Sequence, residues 1–173
     1  MIGSSLVEET FSPALRAFVT LAREKLYREP QELMLHPRDF RSGDHRLNPD
    51  FTDNIAANAP RPAAVLVPIV AHDDPTVLLT ERSKHLSTHA GQVAFPGGRI
   101  DPGDASPLAA ALREADEEIG LPARFATPLG YLDSYLSGTG FRIVPVVALI
   151  APGFTLNVNP REVDEVFEVP LAF

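Results

Sequence analysis

The sequence contains no cysteine among its 173 residues. Disulfide bonds and thiolate metal sites are therefore excluded, and this absence suits a cytoplasmic protein. Lysine and arginine together number 15, against 23 aspartate and glutamate residues, which gives a net charge of −8. Because nucleic-acid binders depend on clustered basic residues, this balance argues against a mainly electrostatic nucleic-acid partner.

Long hydrophobic runs are also missing. The longest apolar run, IVPVVALIAP from Ile143, is too short to span a bilayer. The first residues, MIGSSLVEETFSP, lack a basic segment followed by an apolar core, so no signal peptide is predicted. We therefore expect a soluble cytoplasmic protein with no membrane partner. The hydrophobic fraction of 45% and the chain length favour a single domain over residues 1–173.

The hydrophobic spacing predicts both helices and strands. Ser12 and Pro13 begin an amphipathic helix predicted over about residues 12–28, and a polar, proline-rich stretch predicts a long loop over about 36–60. Six apolar runs predict strands, with a hairpin around residues 138–140: AAVLVPIV, TVLLTER, QVAF, PLGYLDSYLS, FRIVPVVALI and EVFEVPL. This order favours an α/β fold with a mixed sheet between helices.

A second predicted helix concentrates carboxylates within READEEIGL, residues 113–121. Glu114, Glu117 and Glu118 converge on one side of that helix because they are three and four residues apart. Arg113 is one turn before Glu117 and can hold its carboxylate. Two alternatives are open for this side of the helix: a solvated surface, or a site for a hard cation such as Mg²⁺ or Mn²⁺.

The segment before this helix brings glycine close to it. AFPGGRIDPGD follows a predicted strand, and Asp104 or Ser106 can cap the helix that Gly120 ends. Gly97 and Gly98 predict a turn at which the backbone approaches a ligand and presents free amides to phosphate oxygens. Strand, glycine turn, loop and acidic helix in one stretch favour the cation site over the solvated surface.

Two stretches resemble known family signatures. GGRIDPGDASPLAAALREADEEIGL resembles the Nudix box, G-x5-E-x7-R-E-U-x-E-E-x-G-U with U an apolar residue. Residues 113–121 match every fixed position, whereas Asp104 replaces a glutamate and eight residues instead of seven precede Arg113. Upstream, LLTERSKHLSTHAGQVAFPGG resembles the signature of the coenzyme A pyrophosphatase branch, with Ser87 where a second arginine is expected. Together the two signatures cover Leu78 to Leu121.

The resemblance implies a Nudix-type α/β/α sandwich whose core spans about residues 62–173, with a shortened C-terminus. It implies metal-dependent hydrolysis of the diphosphate bond of coenzyme A or acyl-CoA, which gives 4′-phosphopantetheine and adenosine 3′,5′-bisphosphate. One alternative is another nucleoside-diphosphate derivative, such as NADH or ADP-ribose. A second is a non-catalytic module that senses a nucleotide. Each of these readings is compatible with a homodimer.

The resemblance also implies roles for the acidic residues. The expected ligands of Mg²⁺ or Mn²⁺, which are also catalytic residues, share one helix side: Glu114, Glu117 and Glu118. Glu162 completes the expected catalytic set as a candidate general base. Asp164 and Glu165 are the other candidate bases. For each of these three, the alternative is an acidic approach to a strand without a catalytic role.

The expected substrate contacts lie in the upstream signature and the glycine pair: Arg82, Ser83, Gly97 and Gly98. A guanidinium binds phosphate with two parallel hydrogen bonds, so Arg82 is the strongest candidate. Its alternative role is a surface salt bridge at a strand end. The five histidines form no metal-binding motif of the H-E-x-x-H kind.

Overall fold

The apolar runs fold into strands and the two amphipathic segments into helices. The structure, a computed structural model, describes residues 10–30, 42–46 and 59–172. In these ranges the helices are α1 (Pro13–Lys25) and α2 (Pro107–Ile119), and neither is long and apolar enough to cross a membrane. The strands are β1 (Ser42–Gly43), β2 (Arg61–Val70), β3 (Thr76–Arg82), β4 (Val93–Ala94), β5 (Gly97–Arg99), β6 (Ala126–Tyr131), β7 (Tyr135–Leu136), β8 (Phe141–Ile150) and β9 (Val163–Pro170).

The nine strands of the described residues form one mixed sheet. Its centre is the parallel pair β2 and β8, in register from Arg61 opposite Phe141 to Val70 opposite Ile150. β3 and β5 pair antiparallel with β2, β6 and β7 with β8, and β4 and β9 with β3. The short β1 extends the sheet by pairing in parallel with β7. The central strands are covered on both faces, which explains their nearly continuous apolar sequences.

One irregularity of the sheet lies at the end of β3. Glu81 lies opposite Glu165 of β9, but the next residue, Arg82, lies opposite Val163. Asp164 is therefore an extra residue on β9, a bulge that changes the direction of the side chains around it.

The sheet face under α2 is apolar and closely packed. Even-numbered residues of β8 point to this face, because side chains alternate along a strand. They pack with Ile119 and with three buried alanines of α2, whose short side chains bring the helix close to the sheet. Ser106 caps α2 by accepting a hydrogen bond from the amide of Ala109 at 3.1 Å. Gly120 ends it in the left-handed conformation with φ 66°, so both predicted helix ends are confirmed.

The opposite sheet face packs against α1. Leu15 and Val19 of α1 belong to one apolar cluster with Val147 and Leu149 of β8 and Ile69 of β2. A helix therefore lies on each face of the sheet. The predicted α/β/α sandwich with a mixed sheet between helices is confirmed.

α1 ends earlier than predicted. Ser12 caps its first turn as expected, but the helix stops at Lys25 instead of near residue 28. Tyr27 instead exchanges two backbone hydrogen bonds with Tyr131 of β6, at 3.0 and 2.8 Å. A backbone group engaged with a strand cannot also continue a helix, so the prediction of the last turn is wrong.

Most of the loop predicted over residues 36–60 lies outside the described residues. The short described part, 42–46, contains β1 and a 3₁₀ turn over Asp44–Arg46. Because β1 pairs with β7, this described part of the predicted loop is joined to the sheet.

The predicted glycine turn is also wrong. Gly97 and Gly98 belong to β5 and lie opposite Val65 and Ala64 of β2. A side chain at Gly97 would place its Cβ 2.4 Å from the carbonyl oxygen of Ala64, so only glycine fits this approach of two strands. The glycine pair therefore serves strand pairing as well as the site described next.

Candidate active site

Glu118 lies where α2 passes the ends of β3 and β5. It is only 3% exposed. Its Oε2 accepts a hydrogen bond from the backbone amide of Gly97 at 3.0 Å, and its Oε1 lies 3.6 Å from Nη1 of Arg82. The Gly97 amide that was predicted to face a phosphate oxygen is therefore bound to a carboxylate.

The environment of Glu118 disfavours its ionised form. Burial raises the pKa of the Glu118 carboxyl to about 7, although the Gly97 amide and the Arg82 charge oppose this effect. The negative charges of Glu114 and Glu162 raise this pKa further. A buried carboxylate that faces two others is costly to ionise, and a nearby cation would offset the cost.

Glu114 lies one helical turn before Glu118 and packs against Gly98. A Cβ at Gly98 would lie 2.5 Å from both Cδ and Oε2 of Glu114, so the absent side chain leaves the space for this carboxylate. Burial raises the pKa of the Glu114 carboxyl, and the charges of Glu117 and Glu162 add to this, while Arg113 lowers it. Gly98 thus supports the site by making room for a carboxylate.

The two glycines are expected to differ in their tolerance of alanine. At Gly97 the new Cβ would meet backbone atoms of Ala64 and Val65, which cannot move without disturbing β2. At Gly98 it would meet the far end of the flexible Glu114 side chain. We expect Gly97→Ala to lower the free energy of unfolding by about 3 kcal/mol and Gly98→Ala by about 1 kcal/mol. Urea denaturation of both variants measures this, and equal losses would contradict the packing argument.

Arg113 organises the outer carboxylates. Its Nε and Nη2 donate to the two oxygens of Asp104 at 3.0 and 2.9 Å, and Nη2 also donates to the carbonyl of Arg99 at 3.0 Å. Its Nη1 donates to Glu114 at 2.9 Å and to Glu117 at 3.1 Å. The predicted contact of Arg113 with Glu117 is confirmed, whereas Glu117 itself has a side chain that is 57% exposed.

Asp104 has a function that the sequence interpretation missed. The sequence makes Asp104 a candidate helix cap, but both its oxygens bind Arg113, and this contact lowers the pKa of the Asp104 carboxyl. The departures from the Nudix box, aspartate for glutamate and one extra residue, therefore still bring a carboxylate to Arg113. The position of Asp104 in the Nudix box is the feature of the sequence that could have indicated this contact.

Glu162 reaches the same site from the approach to β9. Its carbonyl oxygen accepts a hydrogen bond from the amide of Ser83 at 2.8 Å, which fixes its backbone beside the end of β3. Its charge raises the pKa values of both Glu114 and Glu118, so its carboxylate is within electrostatic reach of each.

The other two candidate bases point elsewhere. Asp164 accepts a hydrogen bond from the amide of Lys84 at 3.1 Å and another from the hydroxyl of Ser83, and both lower the pKa of its carboxyl. Glu165 is exposed and lies opposite Glu81 in the ladder of β3 and β9. Of the three acidic residues in this segment, Glu162 is the one whose charge acts on both Glu114 and Glu118.

The predicted substrate contacts in the upstream signature have different environments. The side chain of Arg82 is 27% exposed, and its buried Nε has no hydrogen-bond partner in the described part of the chain. Ser83 is 0% exposed, and its hydroxyl contacts Asp164. In this structure the Ser83 hydroxyl is therefore turned to Asp164, and a contact of Ser83 with substrate stays a prediction.

The site contains the carboxylate oxygens that a hard cation requires, but in this structure those oxygens do not surround a common point. Among the described residues, no group of three or more His, Cys, Asp or Glu side chains is placed to hold a metal ion. Arg113 and the Gly97 amide each occupy carboxylate oxygens. The donors are all oxygens, and the charge of Glu162 disfavours the ionised forms of both Glu114 and Glu118. These residues therefore fit Mg²⁺ or Mn²⁺.

Solved structures share this fold. A C. elegans Ap4A hydrolase in a binary complex superposes with a TM-score of 0.55 at 20% identity, covering 63% of this chain and 80% of that one. The M. smegmatis Nudix hydrolase RenU gives 0.54 at 29% identity, covering 64% and 71%. The NUDIX domain of Shewanella oneidensis NrtR, solved with ADP ribose, gives 0.51 at 23% identity, covering 72% and 84%.

Sequence comparison gives nearer relatives. An uncharacterized Nudix hydrolase, NudL, from Escherichia coli K12 is 52% identical over 134 residues, which are 78% of this chain and 69% of that protein. NudL of Photorhabdus laumondii is 52% identical over 112 residues, and the chain spans only 60% of its length. The family model for the NUDIX domain matches residues 60–172. With that match, these relatives and the acidic helix against the glycine strand, the chain belongs to the NUDIX domain family.

Proposed function

We propose that this protein is a metal-dependent hydrolase of the diphosphate bond of coenzyme A or acyl-CoA. The products would be 4′-phosphopantetheine and adenosine 3′,5′-bisphosphate. The observation that carries hydrolysis is the buried Glu118 carboxylate 3.6 Å from Nη1 of Arg82, on which the charges of Glu114 and Glu162 also act. Sensing a nucleotide does not require three mutually repelling carboxylates, whereas cation-assisted attack on a diphosphate does use them.

Glu114 and Glu118, which contact β5 at Gly98 and Gly97, would hold the metal, and the more exposed Glu117 would join them. A divalent ion bound there supplies charge neutralisation and Lewis acidity toward the diphosphate. Arg113 keeps Glu114 and Glu117 oriented before any ligand arrives. The buried position of Glu118 excludes water, which strengthens its attraction to a cation.

Glu162 and Arg82 would act on the substrate itself. Glu162 would accept the proton of the attacking water as the water oxygen forms its bond to phosphorus and the bridging P–O bond breaks. Arg82 would bind a phosphate oxygen through its guanidinium, since its side chain is 27% exposed and its Nε has no hydrogen-bond partner among the described residues. Gly97 and Gly98 would contribute the close backbone approach that they already give to Glu118 and Glu114.

The choice of coenzyme A rests on the branch signature over residues 78–98. The fold does not select a substrate, because the structural neighbours are named for Ap4A hydrolysis and for binding ADP ribose. The signature, in contrast, covers the strand end and loop that carry Arg82 and the glycine pair. NADH and ADP-ribose are therefore the competing substrates.

A side-by-side assay tests this choice. The purified protein with Mg²⁺ or Mn²⁺ is given coenzyme A, acetyl-CoA, NADH and ADP-ribose. We expect kcat/KM for coenzyme A to exceed that for ADP-ribose by about tenfold or more, since one hydrogen bond to a charged group is worth roughly 1.5–3 kcal/mol.

Two results would contradict the proposal. A higher kcat/KM for ADP-ribose or NADH would show that coenzyme A is not the preferred substrate. Binding of coenzyme A with metal present but without turnover would favour the sensing module.

A further inference from the structure

Asn159 connects the acidic helix to the approach to β9. Its backbone amide donates to the carbonyl oxygen of Glu118 at 2.9 Å. Its own carbonyl oxygen accepts hydrogen bonds from the amides of Glu162 and Val163, both at 3.0 Å. This one residue therefore ties the last turn of α2 to the backbone that carries the Glu162 side chain.

The side chain of Asn159 adds a direct contact with the Glu162 carboxylate. Its Nδ2 donates to Oε1 of Glu162 at 3.1 Å, and its Oδ1 accepts from the amide of Arg161 at 3.2 Å. The orientation of the side-chain amide follows from its neighbours. The amide of Arg161 only donates and an ionised carboxylate only accepts, so the oxygen must face Arg161 and the nitrogen must face Glu162.

This contact leaves the two oxygens of Glu162 in different situations. Oε1 is held by Asn159, whereas Oε2 has no hydrogen-bond partner in the part of the chain that the structure describes. The carboxylate acts electrostatically on both Glu114 and Glu118. A carboxylate held at one oxygen keeps the other in a defined direction, as a general base requires.

We propose that Asn159 is a positioning residue that holds Oε1 of Glu162 and so directs Oε2 toward the reacting water. The inference rests on the proposed function, in which Glu162 takes the proton of that water. A general base contributes about 10²–10⁴ to the rate only when it is within hydrogen-bond reach. Asn159 therefore acts on kcat through Glu162 and does not touch the substrate.

Asn159→Asp is the most informative change. It keeps the size and the oxygen that faces Arg161, but it replaces the donor to Glu162 with a second acceptor. We expect kcat to fall by about ten- to a hundredfold while KM changes by less than about twofold. The matched control is Asn157→Asp, which adds the same charge two residues away at an exposed side chain. Its backbone bond to the carbonyl of Ile119 is kept, and we expect no change in kcat.

A double-mutant cycle separates positioning from general stabilisation. Asn159→Ala should lower kcat in the wild-type background but not in a Glu162→Gln background, because its effect passes through Glu162. Thermal unfolding of each variant shows whether the fold is kept. If Asn159→Ala lowers kcat by the same factor in both backgrounds, or if Asn159→Asp resembles Asn157→Asp, the inference is overturned.

A measurement without turnover keeps the inference distinct from the proposed function. In NMR spectra, Glu162→Ala should shift the side-chain amide signals of Asn159 and leave those of Asn157 unchanged. If the wild-type protein hydrolyses none of the four diphosphates, the proposed function fails and this spectrum still decides whether Asn159 holds Glu162. If the protein is active and the Asn159 signals do not move, the inference alone fails.

Discussion

Glu118→Gln is expected to lower kcat with Mg²⁺ by about a thousandfold or more. Loss of a metal ligand removes several kcal/mol of charge stabilisation, and each 1.36 kcal/mol corresponds to a factor of ten in rate. Glutamine has nearly the same shape, and its oxygen can still accept the hydrogen bond from Gly97, so the fold should persist. Initial rates with saturating substrate measure the loss, and circular dichroism checks the fold.

The matched control for this experiment is Asp116→Asn. Asp116 lies on α2, is exposed, and loses the same charge on substitution. Its kcat should equal that of the wild type. If the Glu118→Gln variant retains more than about a tenth of the wild-type kcat, Glu118 is not a ligand of the proposed metal ion.

The metal-free protein is expected to lose stability as the pH rises from about 4.5 to about 7. In the unfolded chain Glu118 has its ordinary pKa of 4.5, whereas the folded protein raises this pKa to about 7. The folded state therefore binds the proton more tightly, and this contribution is complete below 4.5 and lost as the pH passes 7. The difference corresponds to about 3 kcal/mol. Urea unfolding with EDTA at several pH values measures it.

Two controls identify Glu118 as the source of this pH dependence. Glu118→Gln should flatten most of the curve between these pH values, and the raised pKa of Glu114 accounts for a remainder of the same sign. Saturating Mg²⁺ should restore stability at pH 8, since a ligand that binds only the folded state stabilises it. Asp104 and Asp164, whose pKa values are lowered, act below their ordinary 3.8 and leave this window unaffected. A wild-type stability that rises across the window would contradict the prediction.

The sequence predicted the elements whose patterns are local. The boundaries of β3 and the two ends of α2 follow from an apolar run, a serine cap and a glycine stop, which all act within a few residues. The convergence of Glu114 and Glu118 likewise follows from helical spacing. These features need no information about distant parts of the chain.

The features that the sequence did not predict depend on distant partners. α1 stops early because Tyr27 pairs with Tyr131, which is far away along the chain. A serine directly after a strand is typical of an exposed loop, but Ser83 is buried because the approach to β9 covers it. A Pro-Gly-Gly sequence is typical of a turn, and Gly97 and Gly98 form a strand only because they pair with β2.

The bulge at Asp164 decides which acidic residue of this segment can do chemistry. In a regular strand, Glu162 and Asp164 would point to the same side, because side chains alternate with a period of two. The extra residue separates them: Asp164 binds the amide of Lys84, while Glu162 stays with the helix carboxylates. The arrangement of the site therefore depends on the number of residues in this segment as well as on their identity. Substitutions in this segment alter one side chain each, but deletion of a single residue here would reassign the direction of every side chain around it.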